Sequence, residues 1–213
     1  MTRLQGPWSL SANEQAGLLV EGFDTPPVVM MPHGKPAYEG WLNGAGFMGV
    51  KDLWAYELDL LGGLPERAKR IVAAGKKNKR VSLRPINMKD YDTDIKTVLS
   101  LFNDAWSDNW GYVPFTEEEG NAAAKALKMV IHPRRTCICE VDGEPAAFMV
   151  TIPDVNDFIK DLDGKLFPFG LPTGLIKLLT RLKRDRCPRY RVPLMGVSKK
   201  FQNRPSAPLW PCG

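Results

Sequence analysis

The sequence predicts an α/β chain of the α+β kind, with one mixed, mainly antiparallel sheet flanked by helices. Three observations carry this expectation. Asp142-Gly143 separates two apolar-rich runs, TCICEV and EPAAFMVTIPD, and a tight primed turn needs residues that tolerate positive φ there. Thr116 with Glu119 forms a capping box at the head of a helix, each side chain placed to satisfy the other's free backbone N–H. RVSLRPI and YRVPLMGV are short apolar runs of strand length on either side of these elements.

Taken in order, the first sixty residues are dense in Gly and Pro. DLWAYELDL then alternates Leu53, Ala55, Glu57 and Asp59 against Trp54, Tyr56, Leu58 and Leu60, a period-two pattern that predicts a strand packed on the body of the protein. Gly62 and Gly63 end it, and Pro65 opens a helix, PERAKRIVAAGKK, with basic residues toward its C-terminus. The main boundary falls at residues 62–79. A strand near 81–84 follows, broken by Pro85. Asn87 is placed to cap a helix from about Thr93 to Trp106, with Ile95, Val98, Leu99 and Phe102 on one stripe. The capped helix from Thr116 runs to about Ile131. Strands near 136–142 and 145–152, a helix over about Thr173–Arg184 and a strand near 190–197 complete the series.

Hydrophobic residues at 44% and charged residues at 25% are ordinary for a globular protein and argue against wholesale disorder. No apolar run is long enough to span a bilayer and the N-terminus lacks a secretory leader, so the expectation is a cytoplasmic protein with no membrane partner. Cys137 and Cys139 share one face of a strand and cannot bridge each other; the four cysteines are read as buried or free reduced thiols. His33 and His132 stand alone beside prolines, so no metal site is expected. The net charge of +5 is concentrated in two runs, Arg67–Arg80 and Arg181–Arg191. Such runs can neutralise phosphates of a nucleic acid or cofactor, but more commonly form solvated helix faces. No groove-reading motif or stacking-aromatic pattern accompanies them, so nucleic acid is not an expected partner.

The order strand, two helices, hairpin, helix, strand over Arg80–Gln202 resembles the first two-thirds of the GNAT fold of acyl-CoA N-acyltransferases, and FNDAWSDNWGYVPFT resembles a stretch of large bacterial GNAT-like proteins. PAYEGWLNGAGF with DLWAYELDL resembles the closing helix and strand of another such unit, the helix ending at Gly46-Phe47. Leu42 stands where that family often carries a proton-donating tyrosine, and Tyr38, one turn earlier, does not replace it. The implied organisation is residues 1–62 as the C-terminal remnant of a first unit and 63–79 as a basic helical linker. Residues 80–202 are then the N-terminal two-thirds of a second unit, and 203–213 an atypical Pro-rich tail.

The resemblance implies acetyl-CoA or another acyl-CoA as co-substrate and a small-molecule amine or a peptide as acceptor. The amides of Leu194, Met195, Gly196 and Val197 would receive the pantetheine arm and polarise the thioester carbonyl, with Gln202 opening the cofactor loop. Trp106, Trp110, Tyr112 and Phe115 are candidates for the acceptor pocket, although aromatic clusters are more often core. Asp104 and Asp108 flank them, as amine ligands or helix-end caps. Glu140 is the candidate general base, with a solvent-facing strand residue as the alternative. After Gln202 the family's glycine loop is missing: RPSAPLWPCG offers prolines at 205, 208 and 211 where N–H donors and a helix are wanted. That switch is read as a shift of reading frame in a chain trimmed at both ends. The expectation is an N-acyltransferase by descent that binds CoA poorly and is inactive as written; the alternative is a non-catalytic small-ligand-binding module.

Overall fold

The computed structural model describes residues 3–9, 14–184 and 187–202. The expected Pro-rich tail and its frame shift lie outside the described residues. The chain divides into two compact units, Met1–Leu64 and Pro65–Gly213.

In the first unit β1 (Trp8–Ser9) pairs antiparallel with β2 (Gln15–Ala16), two short strands with no marked sequence signal. Helix α1 (Ala37–Gly44) ends as the GAGF sequence requires. Gly46 takes a φ of 88° and the Phe47 N–H reaches back to the Leu42 carbonyl at 3.1 Å, a left-handed cap that closes the last turn. The expected strand over Leu53–Leu60 does not form: the segment has no regular structure, and Trp54 and Tyr56 are 71% and 84% exposed. Alternation fixes which side chains share a face, but a strand also needs a ladder for its N–H and C=O groups, and no described segment supplies one.

The second unit begins with α2 (Glu66–Lys77) and β3 (Val81–Pro85). Asn87 accepts from the Lys89 N–H and so caps a single 3₁₀ turn, Met88–Asp90, which leads into α3 (Tyr91–Trp106). Helix α4 (Glu117–Lys128) carries the reciprocal Thr116–Glu119 capping box and stops one turn short of Ile131. β4 (Cys137–Val141) and β5 (Glu144–Pro153) flank the tight turn, where Asp142 and Gly143 take φ of 53° and 80°. A short helix the sequence did not announce, α5 (Val155–Ile159), is capped by Asp154, whose carboxylate accepts from the Asn156 N–H. Helix α6 (Thr173–Lys183) and β6 (Tyr190–Val197) follow.

The four strands form one sheet in the order β3-β4-β5-β6, antiparallel throughout, as the hairpin and element order required. Its core gathers Ile95, Val98 and Phe102 of α3 with Ile138 and Phe148 of the sheet, all buried. Leu99 turns instead to α4, where a Cβ on Gly120 would meet its Cδ1 at 2.7 Å. The Tyr91 hydroxyl donates to the Ala124 carbonyl at 2.8 Å and ties the two helices; burial pushes its phenol up to about 12. Cys139 is buried and Cys187 half-buried, both free thiols. Cys137, by contrast, is disulfide-bonded, which corrects the expectation of four reduced cysteines.

Candidate functional site

The site is built on the outer edge of β6. Along an antiparallel strand N–H and C=O groups point alternately to the two sides. The Ser198 N–H donates to Ala146 of the β5 side at 2.9 Å, and Gly196 lies opposite Phe148. By this alternation the backbone groups of Met195 and Val197 face away from β5, and no described strand pairs with that edge. The register slips between Val150 and Ile152, which places an extra residue of β6 at Val192-Pro193. A bulge bends its strand, and proline is tolerated there because its missing N–H interrupts no ladder bond.

Two side chains engage the carbonyls of this edge. The Trp106 indole N–H donates to the Met195 carbonyl at 2.9 Å, and the Gln202 amide N–H donates to the Val197 carbonyl at 2.8 Å. Both carbonyls are thereby held, and the N–H dipoles of the same residues remain on the edge. Gly196 lets α3 come this close: a Cβ there would lie 2.9 Å from the Ala105 Cβ and 2.9 Å from Cε1 of Phe148. The Met195 side chain is 52% exposed beside the edge.

The expected aromatic group divides. Trp106, Tyr112 and Phe115 surround the buried ring of Phe102, with centroid separations of 5.2, 6.0 and 5.4 Å. Trp110 is about half exposed. Asn103 organises the loop: its Oδ1 accepts from the Tyr112 hydroxyl at 2.7 Å and from the Phe115 N–H at 3.3 Å. Asp104 and Asp108 both turn to Lys199, Asp104 accepting from its backbone N–H at 2.8 Å and Asp108 pairing with its ammonium at 2.7 Å. These contacts fasten the end of α3 to the chain leaving β6. Phe102, Asn103 and Lys199 carried no sequence signal beyond a helical stripe, a loop-type residue and a surface cation.

Glu140 is on β4, two strands from β6. Its carboxylate accepts from Arg84 Nε at 2.7 Å. The same guanidinium forks onto the buried Asp94 at 2.9 and 2.8 Å, and Asp94 also accepts from the Asn87 N–H at 2.7 Å. The Arg84 hydrogen bond, with help from the Asn87 N–H, outweighs burial and holds the Asp94 carboxyl below its ordinary range. The Arg84 guanidinium is raised in return, first by Asp94 and then by Glu140. Glu144, at the turn, pairs with Lys200. Among the described residues no cluster of three or more His, Cys, Asp or Glu could hold a metal. No described helix is long and apolar enough to cross a membrane.

The architecture is thus an antiparallel sheet flanked by helices, with an edge strand that presents backbone dipoles beside a tryptophan. No family model matches the chain. It is 48% identical over 202 residues to a protein named Bacterial ceramide synthase from Caulobacter vibrioides, covering 94% of this chain and 51% of that protein. It is 40% identical over 204 residues to Protein YghO of Escherichia coli K12, covering 94% of this chain and 50% of that one. The chain spans about half the length of the curated relatives it matches.

Proposed function

We propose that the second unit is the thioester-binding part of an acyl-CoA-dependent N-acyltransferase of GNAT type. The observation that carries this reading is the bent outer edge of β6, which presents the Met195 and Val197 amides while Trp106 and Gln202 occupy the carbonyls of the same two residues. Fixed N–H dipoles at such an edge can accept a pantetheine amide and stabilise the oxyanion of a thioester under attack. The amine nitrogen adds to the thioester carbonyl carbon, the C–N bond forms, the C–S bond breaks, and CoA leaves as a thiolate that takes up the proton the amine loses. One relative is named a ceramide synthase, and a ceramide is an N-acylated long-chain amino alcohol. The acceptor class for this chain is therefore a long-chain amine, with the ring of Trp106 beside the edge that would hold the donor.

In the same reading residues 1–62 and 80–202 are parts of two GNAT-like units joined by the basic helix of 63–79. Glu140 would have to leave Arg84 to act as base, so direct attack by a neutral amine is the favoured course. That ion pair also favours a second reading, a ligand-binding module with the same edge and no chemistry.

The test is amide chemical-shift mapping of the labelled chain with acetyl-CoA and with acetyl-pantetheine at millimolar concentration. The proposal expects perturbations centred on Met195, Val197 and the Trp106 indole with both ligands, because the pantetheine arm is common to the two. Perturbations confined elsewhere, or none, would overturn it. Mass-spectrometric detection of an N-acyl product from a long-chain amine separates the enzyme from the binding module.

A further inference from the structure

The segment between β5 and β6 carries an apolar surface that the proposed acyl transfer does not use. Helix α6 is apolar along one broad face, with Thr173, Lys177, Thr180 and Arg181 on the other. Leu175, Leu178 and Leu182 turn inward and are half-buried, whereas Ile176 and Leu179, on the adjoining flank of the same face, are exposed on a stripe that ends at Lys183. The buried flank of that face meets the body of the unit, and its exposed flank presents apolar side chains to solvent. The loop before it folds back onto the first turn: the Leu175 N–H donates to the Leu166 carbonyl at 3.2 Å, and a Cβ on Gly174 would strike the Lys165 carbonyl at 2.5 Å. This close approach fixes a projecting tip at Phe167–Leu171. Phe169 there is 103% exposed with a φ of 55°, a left-handed conformation that is strained for a bulky residue.

Among the described residues of this segment, the charges left once the ion pairs are drawn are cations at the end of α6. Asp161 is held by Lys177 and Arg181 at 2.7 and 2.6 Å, and Asp163 by Lys165 at 3.4 Å. Lys183 and Arg184 at the end of the helix are exposed and have no acidic partner among the described residues. Projecting aromatic rings, an apolar helical stripe and unneutralised cations at its end match the interface of an anionic bilayer, where rings enter the headgroup region and cations meet lipid phosphates.

We propose that the Phe167–Arg184 segment docks this chain on an anionic lipid surface, with Phe167 and Phe169 entering the interface. The docking stands apart from the acyl-transfer reading and needs no substrate.

Its test is co-sedimentation with vesicles of phosphatidylcholine containing about one-third phosphatidylglycerol, against vesicles of phosphatidylcholine alone. The full chain is expected to partition onto the anionic vesicles and to be released by high salt. Because the Phe169 ring contacts no core, Phe169→Ser with Phe167→Ser should keep the thermal transition and lower the partition coefficient by about tenfold or more. Lys183→Glu with Arg184→Glu should lower it by a similar factor and abolish the preference for anionic vesicles. Unchanged binding in both double variants would assign any binding to another surface and overturn the proposal. So would failure of the parent chain to sediment, including the case in which sedimentation equilibrium shows a dimer that the Phe variants dissociate.

Discussion

Gly196→Ala tests how the site is held together. The new Cβ would stand 2.9 Å from the Ala105 Cβ and 2.9 Å from Cε1 of Phe148, closer than carbon atoms approach without displacement. Phe148 is completely buried and the Ala105 Cβ is fixed to the helix backbone, so the collision is expected to push α3 away from β6. Overpacking of this kind costs about 1–3 kcal/mol, and two rigid neighbours place the expected loss near 2 kcal/mol. For a unit of this size that lowers the midpoint of thermal unfolding by roughly 4–8 °C. Because Trp106 follows Ala105 on the same helix, its 2.9 Å bond to the Met195 carbonyl should lengthen, visible as an upfield shift of the indole proton. Ala105→Gly removes one of the two collisions but itself costs about 1 kcal/mol of helix stability. The double variant should therefore be no less stable than Gly196→Ala alone, a coupling of about 1 kcal/mol in urea denaturation. Stability of Gly196→Ala within about 0.5 kcal/mol of the parent, or strict additivity in the cycle, would refute the close-packing argument.

Three further outcomes follow from the same contacts. Arg84→Met strands the buried Asp94 carboxylate and should cost about 3 kcal/mol at pH 7, the low end for a broken buried pair because Arg84 is partly exposed. The Asp94 carboxyl is depressed in the parent, so its contribution is complete above the ordinary value of 3.8 and is lost as pH falls through the folded value; urea titrations should show the parent–variant gap narrowing there. Thr116→Ala removes one half of the capping box and should cost about 1 kcal/mol, with faster hydrogen exchange of the Glu119 amide; an unchanged exchange rate would show that the box contributes nothing. Burial pushes the Cys139 thiol up to about 11, so iodoacetamide at pH 8 should leave it unmodified in the native chain and label it in denaturant, read by peptide mass.

What the sequence determined by itself is local. Asp142-Gly143 dictated its hairpin because few residue pairs accept two left-handed φ values in succession. Thr116 and Glu119 fixed the start of α4 because both partners lie within one turn. The four strands of the sheet were legible from their length, composition and flanking turns. The same reasoning failed at Leu53–Leu60, where the alternation is as regular as in any strand, because pairing depends on a partner that no local pattern encodes. Trp106 and Met195 stand 89 positions apart, and only the packing of α3 across β6 joins the indole to the carbonyl. Glu140 was legible as a carboxylate on a central strand, but its fate as the partner of Arg84 depends on the register of β3 against β4 and on the height of Asp94 on α3. Gly196 was read only as one of four amides expected to face the cofactor, and the helix that leaves no room there for a methyl group had no sequence signal. Turns, caps and face periodicities are set by interactions within a few residues and survive in the sequence; the edge dipoles, the ion-pair network and the close approach at Gly196 arise from distances between elements, which tertiary packing alone supplies.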